Sequence, residues 1–342
     1  VDKTSFQVFS RFVEVVDLTK KKYLVGVDLG GTWLRVVLSD ENGGFKERIS
    51  ERVDKSSSRA ISRQIIRLAR FVCKRQGLNP TALRGVGIAS AGPLNQEKGV
   101  LTKPPNLPFE CVPLTKPVAK ELGTPTCLIN DCAGAALGEK AFGAARGLDN
   151  YVYITISTGI GCGAVVNGTL LLGKDGNGHE VGHLTIDCAG RLTCGCGRRG
   201  HWEAYCSGKN IPNFVRMRLS ELDEKTLKGS SLIRKTGVEL SSLSASDLFR
   251  SAKEGDNLSL QLVEEIGVLN AIGFANVVNA YDPSLITVGG TVALKNEKMI
   301  LSPIKNHVGE YAINRLPKIM LTPLGEDAGV YGAIAAALEY LS

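Results

Sequence analysis

YLVGVDLGGTWLRVVLS, residues 23–39, runs an apolar stretch into a glycine pair and then into a second apolar stretch. Tyr23 to Leu29 reads as a strand, Gly30-Gly31-Thr32 as a tight turn, and Trp33 to Ser39 as a returning strand. The arrangement recurs in YVYITISTGIGCGAVV, residues 151–166. There, Tyr151 to Ile156 is a strand, Ser157 to Gly163 a glycine-rich turn, and Ala164 to Val166 a second strand. A strand, a glycine turn with a hydroxyl residue and a returning strand open each half, which reads as an internal duplication.

Working outward, Glu41-Asn42-Gly43-Gly44 makes the next turn. Ser58 to Arg75 has helical spacing, with Ile61, Ile65, Leu68 and Val72 on one stripe. Val86 to Ala89 reads as a short buried strand, Val112 to Leu122 as a helix, Thr126 to Ile129 as a strand, and Ala133 to Phe142 as a helix. Glycines make Gly173 to Gly200 loop-rich, while residues 208–280 are mostly helical in pattern. Leu285 to Val288 is a strand ending at Gly289-Gly290, and Val330 to Leu341 is a closing helix. Residues before Tyr23 read as an extension with a short amphipathic helix around Phe9 to Leu18. Strands alternating with helices indicate an α/β architecture.

Composition excludes several classes. The 342 residues suffice for two domains or lobes, and 43% hydrophobic with 22% charged is an ordinary globular balance. The net charge of +7 comes from dispersed Lys and Arg. The one dense run, Lys20-Lys21-Lys22, reads as a solvated lead-in to the first strand, so no nucleic-acid arm is expected. Charges at Asp2, Lys3, Arg11 and Glu14 argue against a signal peptide, and no apolar run looks long enough to span a bilayer. Nine scattered cysteines point to free thiols in a reducing, cytoplasmic setting, plus a metal site.

Glycines in Asp28-Leu29-Gly30-Gly31-Thr32 let backbone N–H groups approach a phosphate, and Asp28 could hold Mg²⁺ directly or through water. Ser157-Thr158-Gly159-Ile160-Gly161-Cys162-Gly163 offers the same apparatus. Gly289-Gly290-Thr291 suits a nucleoside packing on bare backbone. Each of the three also reads as a plain tight turn. Asn130-Asp131 follows an apolar strand; the carboxylate there either accepts a proton from a substrate hydroxyl or caps the next helix. The densest cluster lies between His179 and Glu203. His183, Cys194, Cys196 and His201 suit a closed tetrahedral Zn²⁺ site. His179-Glu180-Val181-Gly182-His183 matches the HExxH protease pattern, but Gly173, Gly176, Gly178 and Gly182 argue for a loop rather than the required helix. Gly168 to Lys174 approaches a Walker A loop, yet Asp175 stands where Ser or Thr should hold the metal, and the match reads as chance.

These residues resemble the ROK family of repressors and sugar kinases, in particular its glucokinase-like members. The likeness runs from about residue 23 to the C-terminus. It rests on Asp28 to Thr32, Ala91-Gly92-Pro93, Pro105-Asn106-Leu107-Pro108, Asn130-Asp131 and Ser157 to Gly163. It also rests on Glu180-x-Gly-His183 followed by Cys194-x-Cys196-Gly-x-x-Gly200-x-x-Glu203.

The resemblance implies a two-lobed actin-like ATPase (ribonuclease H-like) α/β fold with a zinc-binding loop. Residues 23–130 with 326–342 would form the smaller lobe. Residues 131–325 would form the larger lobe, carrying the zinc loop 179–203, and residues 1–22 an N-terminal extension. Asp131 would be the general base. Asn106, Asn130, Glu180, His183 and Glu203, with Asp131, would hold the sugar, and His183 would also bind zinc. Gly30, Gly31, Thr32, Thr158, Gly159 and Gly161 would grip ATP phosphates, with Gly289 and Gly290 beside the nucleoside. The family usually has a third Cys where this chain has His201, so His201 or Cys206 would complete the zinc site; Phe109 stands where Trp is common.

The implied activity is ATP-dependent phosphorylation of a hexose, with glucose fitting best. Kinases for N-acetylmannosamine or N-acetylglucosamine use nearly the same residues. ATP, Mg²⁺ and a structural Zn²⁺ would be the cofactors, and a homodimer or higher homo-oligomer the assembly. A sugar-responsive repressor is the family's other class. Only about twenty residues precede Tyr23, too few for a helix-turn-helix domain, which favours the kinase.

Overall fold

The structure is a computed structural model that describes residues 22–341, except 175, 224–226, 228 and 237–241. The expected helix around Phe9 to Leu18 lies outside the described residues, as does Asp175.

In chain order the first lobe holds β1 (Tyr23–Leu29), β2 (Trp33–Asp40), β3 (Phe45–Arg52), α1 (Ser58–Arg75) and β4 (Gly85–Ser90). A small side sheet follows, of β5 (Leu94–Asn95), β6 (Val100–Thr102) and β7 (Cys111–Pro113), then α2 (Thr115–Leu122) and β8 (Thr126–Asn130). Next come α3 (Asp131–Phe142), β9 (Tyr151–Ile156), β10 (Ile160–Val166) and β11 (Thr169–Leu170). The helices α4 (Glu203–Cys206), α5 (Ile211–Leu219), α6 (Ser231–Thr236), α7 (Ala245–Lys253) and α8 (Asn257–Tyr281) follow. The chain closes with β12 (Leu285–Gly289), α9 (Thr291–Lys295), α10 (Glu297–His307), β13 (Lys318–Leu321) and α11 (Ala328–Tyr340).

The duplication read from the two glycine turns is a duplication of topology. One sheet runs β3-β2-β1-β4-β8 and the other β11-β10-β9-β12-β13. In both, the first three strands are antiparallel and the last two join in parallel. The central strand of each sheet is covered on both faces, so its residues are apolar almost throughout rather than alternating. The edge strand β3 instead alternates, with Lys46, Arg48, Ser50 and Arg52 exposed, charges that discourage pairing with another chain.

On one face of the first sheet lies α1. Ser57 caps it by accepting from the Ala60 N–H at 3.1 Å, and the stripe Ile61, Ile65, Leu68 and Val72 is fully buried. The other face is covered by α11, and α3 packs on the second sheet. These two helices cross where glycines meet: a Cβ on Gly332 would lie 2.3 Å from the Gly134 carbonyl carbon. The chain passes from the first sheet into α3 at Asn130–Asp131 and returns through α11.

Three elements depart from expectation. The helix expected from Val112 begins at Thr115, because Cys111–Pro113 pairs with β6 and the residue before a proline disfavours helical backbone. The helix expected from Ala133 begins at Asp131. The turn expected over Ser157–Gly163 ends at Gly159: Gly161 and Gly163 belong to β10, where α3 comes so near that a Cβ would meet Cys132 Sγ at 2.5 Å and Cys132 O at 2.2 Å.

One apolar run corrects the expectation of none long enough for a bilayer. The helix α8 passes that test by length and composition. Its Leu262, Ile266, Phe274 and Val278 are nevertheless buried in the second lobe's core, and Trp202 Nε1 donates to Asn270 Oδ1 on it at 2.8 Å.

Candidate active site

Between the sheets lies a cleft of about 220 Å³, lined by Asp28 and Arg35 from the first lobe, Asp131 and Cys132 from α3, and Tyr153, Thr155, Ser157 and Gly290 from the second. The turn before α11, with Glu326, closes one side. Topology explains the convergence. β1 and β9 hold equivalent places in the two sheets, so their C-terminal ends and glycine turns face a common space. Tyr153 and Thr155 alternate along β9, which puts both on one face, and Ser157 follows just past its end.

The first turn is closed by Gly30 N–H donating to Trp33 O at 3.0 Å. Asp28 precedes it, paired with Arg35 at 3.0 Å across the hairpin. Burial pushes the Asp28 carboxyl up to about 6, against the pull of Arg35 and with help from the Asp131 carboxylate. In the second turn Ser157 N–H donates to Gly159 O at 2.9 Å, and Ser157 Oγ lies 3.1 Å from Thr291 Oγ1. Thr32 and Thr158 are exposed at the tips of their turns.

The two readings of Asn130-Asp131 divide between the residues. Asn130 is the cap: its Oδ1 accepts from Cys132 N–H at 2.9 Å and Ala133 N–H at 3.1 Å. That leaves only its amide NH₂ to face a ligand. Asp131 is the first helical residue and lines the cleft. Its Oδ1 accepts from Cys132 N–H at 2.9 Å, while burial raises its carboxyl above the usual range.

Beside this cleft is a narrow crevice lined by Gly30, Gly31, Ala91, Gly92 and Asn106. Asn106 stands over the first turn, so close that a Cβ on Gly31 would meet its own Cβ at 2.7 Å. Glu180 is within electrostatic reach of both Asp131 and Glu203. Burial raises the Glu180 carboxyl, His183 pulls it down, and the Asp131 and Glu203 charges push it up. Glu203 is already engaged: its Oε2 accepts from Ile160 N–H at 2.9 Å, and Cys194 Sγ approaches its Oε1 at 3.5 Å. It therefore ties the cysteine loop to the start of β10.

The expected metal ligands do come together. One donor atom each from His183, Cys194, Cys196 and His201 lies within 4.8 Å of the others. His183 Nδ1 is 3.7 Å from Cys194 Sγ, and His201 Nδ1 is 3.3 Å from Cys196 Sγ. A tetrahedral zinc site with mixed N and S ligands spaces its donors by about 3.5–3.8 Å, so the donor set fits. Cys206 does not belong to it; that thiol is buried against Ile266 O at 3.7 Å. The HExxH segment is a loop with a short 3₁₀ turn, Val181–His183, as its glycines suggest.

At two of the expected nucleotide contacts the glycine also has a packing cause. Gly161 makes room for Cys132, and a Cβ on Gly289 would lie 2.3 Å from the Tyr153 hydroxyl. Among the cleft residues not singled out in the sequence, Arg35 could have been found, since it sits opposite Asp28 in the hairpin register. Thr155 and Tyr153 followed from strand alternation. Glu326 carried no local signal.

The ROK family profile matches residues 24–339. The glucokinase of Pyrobaculum calidifontis is 34% identical over 318 residues, covering 93% of this chain and 95% of that one. The xylose repressor of Bacillus subtilis is 26% identical over 96% of this chain and 80% of its own length. Among solved structures, a ROK family glucokinase from Streptomyces griseus in complex with glucose and AMPPNP superposes with a TM-score of 0.75. It is 27% identical, over 93% of this chain and 99% of that one.

Proposed function

Because the chain belongs to the ROK family, we propose that it is an ATP-dependent sugar kinase that phosphorylates glucose to glucose 6-phosphate. The observation carrying this reading is the Asp131 carboxylate, held at the start of α3 in a cleft between two glycine hairpins.

Phosphoryl transfer asks the protein chiefly to align the attacking oxygen with the γ-phosphate and to offset charge. Asp131 Oδ1 is occupied by the helix N–H, so Oδ2 is the atom that would take the proton from the sugar hydroxyl. Burial raises the proton affinity of this carboxyl, which makes it a better base. Asn106, the Asn130 amide, Glu180, His183 and Glu203 would hold the other hydroxyls. Carboxylates suit that task, because each hydroxyl donates a charge-assisted hydrogen bond. The backbone of Gly30, Gly31, Thr32, Thr158 and Gly159 would receive the phosphates, with Gly290 under the nucleoside.

Asp28, enclosed and facing the cleft, would hold Mg²⁺, whose charge neutralises the phosphate oxygens when it is bound. His183, Cys194, Cys196 and His201 would hold a structural Zn²⁺. His183 Nε2 then points to Glu180, 4.0 Å from its Oε2, so the metal loop would orient a sugar-binding acid. All nine cysteines are free, which supports a reducing, cytoplasmic setting. A homodimer or larger homo-oligomer is the proposed assembly, with sugar and ATP as the partners.

A sugar panel with ATP and Mg²⁺, scored by kcat/KM, tests the reading. Glucose should lead. A kcat/KM for N-acetylmannosamine or N-acetylglucosamine exceeding that for glucose would reassign the substrate, and no turnover of any sugar would remove the kinase.

A further inference from the structure

Of the charged residues among those described, only Glu139 is wholly shielded from solvent, at 0% exposed. It lies on α3 about two turns after Asp131. Its two oxygens meet neutral donors rather than a cation. Oε2 accepts from Ala144 N–H at 2.8 Å, just past the end of the helix. The backbone there is bare enough to admit the carboxyl, since a Cβ on Gly143 would lie 2.1 Å from Oε2. Oε1 accepts from the hydroxyl of Thr322, in the segment that follows β13.

Thr322 is buried too, and each of its polar atoms is in use. Its N–H donates to Val288 O at 2.9 Å, one residue before Gly289-Gly290. Its Oγ1 accepts from Leu324 N–H at 3.1 Å, and its carbonyl from Gly325 N–H at 3.4 Å. These bonds shape the turn into α11, where Gly325 takes a φ of +57°. That turn delivers Gly325 and Glu326 to the cleft that Asp131 and Gly290 also line. A single hydrogen bond, from Thr322 to Glu139, thus joins the helix bearing Asp131 to the turn that closes one side of the cleft.

Burying a carboxyl away from any cation is costly, and an apolar side chain of that size would pack there without the cost. What the carboxyl supplies is direction: two acceptors that hold two separate segments of chain in one geometry. We infer that Glu139 and Thr322 are positioning residues for the nucleotide: their hydrogen bond fastens the turn carrying Gly325 and Glu326 to α3, and so fixes that wall of the cleft relative to Asp131. The inference rests on the sugar-kinase reading of the site, with the nucleoside beside Gly290.

Thr322→Val and Thr322→Ser make the test, compared with the wild-type enzyme on ATP and the best sugar of the panel. Val keeps the volume of Thr and deletes the hydroxyl; Ser keeps the hydroxyl and loses a methyl. In Thr322→Val the KM for ATP and the Kd for ADP, the latter from calorimetry, should both rise about three- to tenfold, the size of one lost hydrogen bond. The KM for the sugar should not move. Thr322→Ser should melt below wild type yet bind both nucleotides as wild type does. An active wild type with unchanged nucleotide constants in Thr322→Val overturns the inference alone. So does a Val variant in which the ATP and sugar KM values rise together, a Ser variant that loses as much nucleotide affinity as Val, or a Val variant that fails to fold, since each makes the contact purely structural. A wild type that binds no ADP and turns over no sugar overturns the kinase reading and this inference with it.

Discussion

Asn130 and Asp131 are adjacent, polar and similar in size, yet the fold gives them different work. Asn130 spends its carbonyl on the helix cap, while Asp131 lines the cleft. Asp131→Asn should keep the fold and the sugar affinity, seen as an unchanged sugar-induced melting shift, but lose about 10³-fold or more in kcat. A near-normal kcat would remove the base. Asp28 makes a second prediction, this one about pH. Its carboxyl is raised from 3.8 to about 6 in the folded protein. A raised folded value means that the folded state binds the proton more tightly than the unfolded chain does. Its contribution to stability is therefore complete below pH 3.8 and is lost as pH rises through 6. Without metal or nucleotide, the melting midpoint of the wild type relative to Asp28→Asn should fall between pH 4 and pH 7, as scanning calorimetry would record. A pH-independent difference would mean that Arg35 already compensates the charge. Sequence pattern marked both carboxylates, but it could not tell which residue at 130–131 caps the helix, because that depends on which side chain turns toward the helix N–H groups.

Elements were legible wherever local preference and packing agree. The strand at Tyr23–Leu29 and the helix at Ser58–Arg75 match the periodicity residue for residue. The turn over 157–163 was misjudged because Gly161 and Gly163 resemble loop glycines; they are strand glycines shaved to admit α3. The crossing of α3 and α11 obeys the same constraint. Gly332→Ala would push a methyl into the Gly134 backbone, which cannot rotate away. It should cost about 1–3 kcal/mol, read as a lower midpoint in denaturant; an unchanged midpoint would show that the helices can part freely. The cysteine loop gives a metal prediction. Chelation, or Cys194→Ser, should lower the melting temperature, at about 2–4 °C for each kcal/mol lost. It should also raise the sugar KM while sparing the KM for ATP, if His183 and Glu203 hold the sugar as proposed. Equal effects on both substrates would separate that loop from the sugar.

At the scale of the molecule, two sheets of the same strand order face each other across one cleft, and the sugar should stabilise the whole by binding only the folded state. Glucose at about 100 times its Kd should add about 2.7 kcal/mol, measurable as a melting shift. A shift with an acetylhexosamine and none with glucose would reassign the substrate. The sequence by itself determined the strands, the two glycine hairpins and the Cys/His spacing of the cysteine loop, because periodicity, turn chemistry and residue spacing are short-range properties. Only the tertiary structure decided that His201 rather than Cys206 joins His183, Cys194 and Cys196, and that Arg35, Thr155 and Glu326 share the cleft with Asp131. It also decided that Glu203 anchors to β10. Those placements depend on how two sheets and two crossing helices pack, and contacts between residues far apart in the chain leave no mark on the spacing near either one.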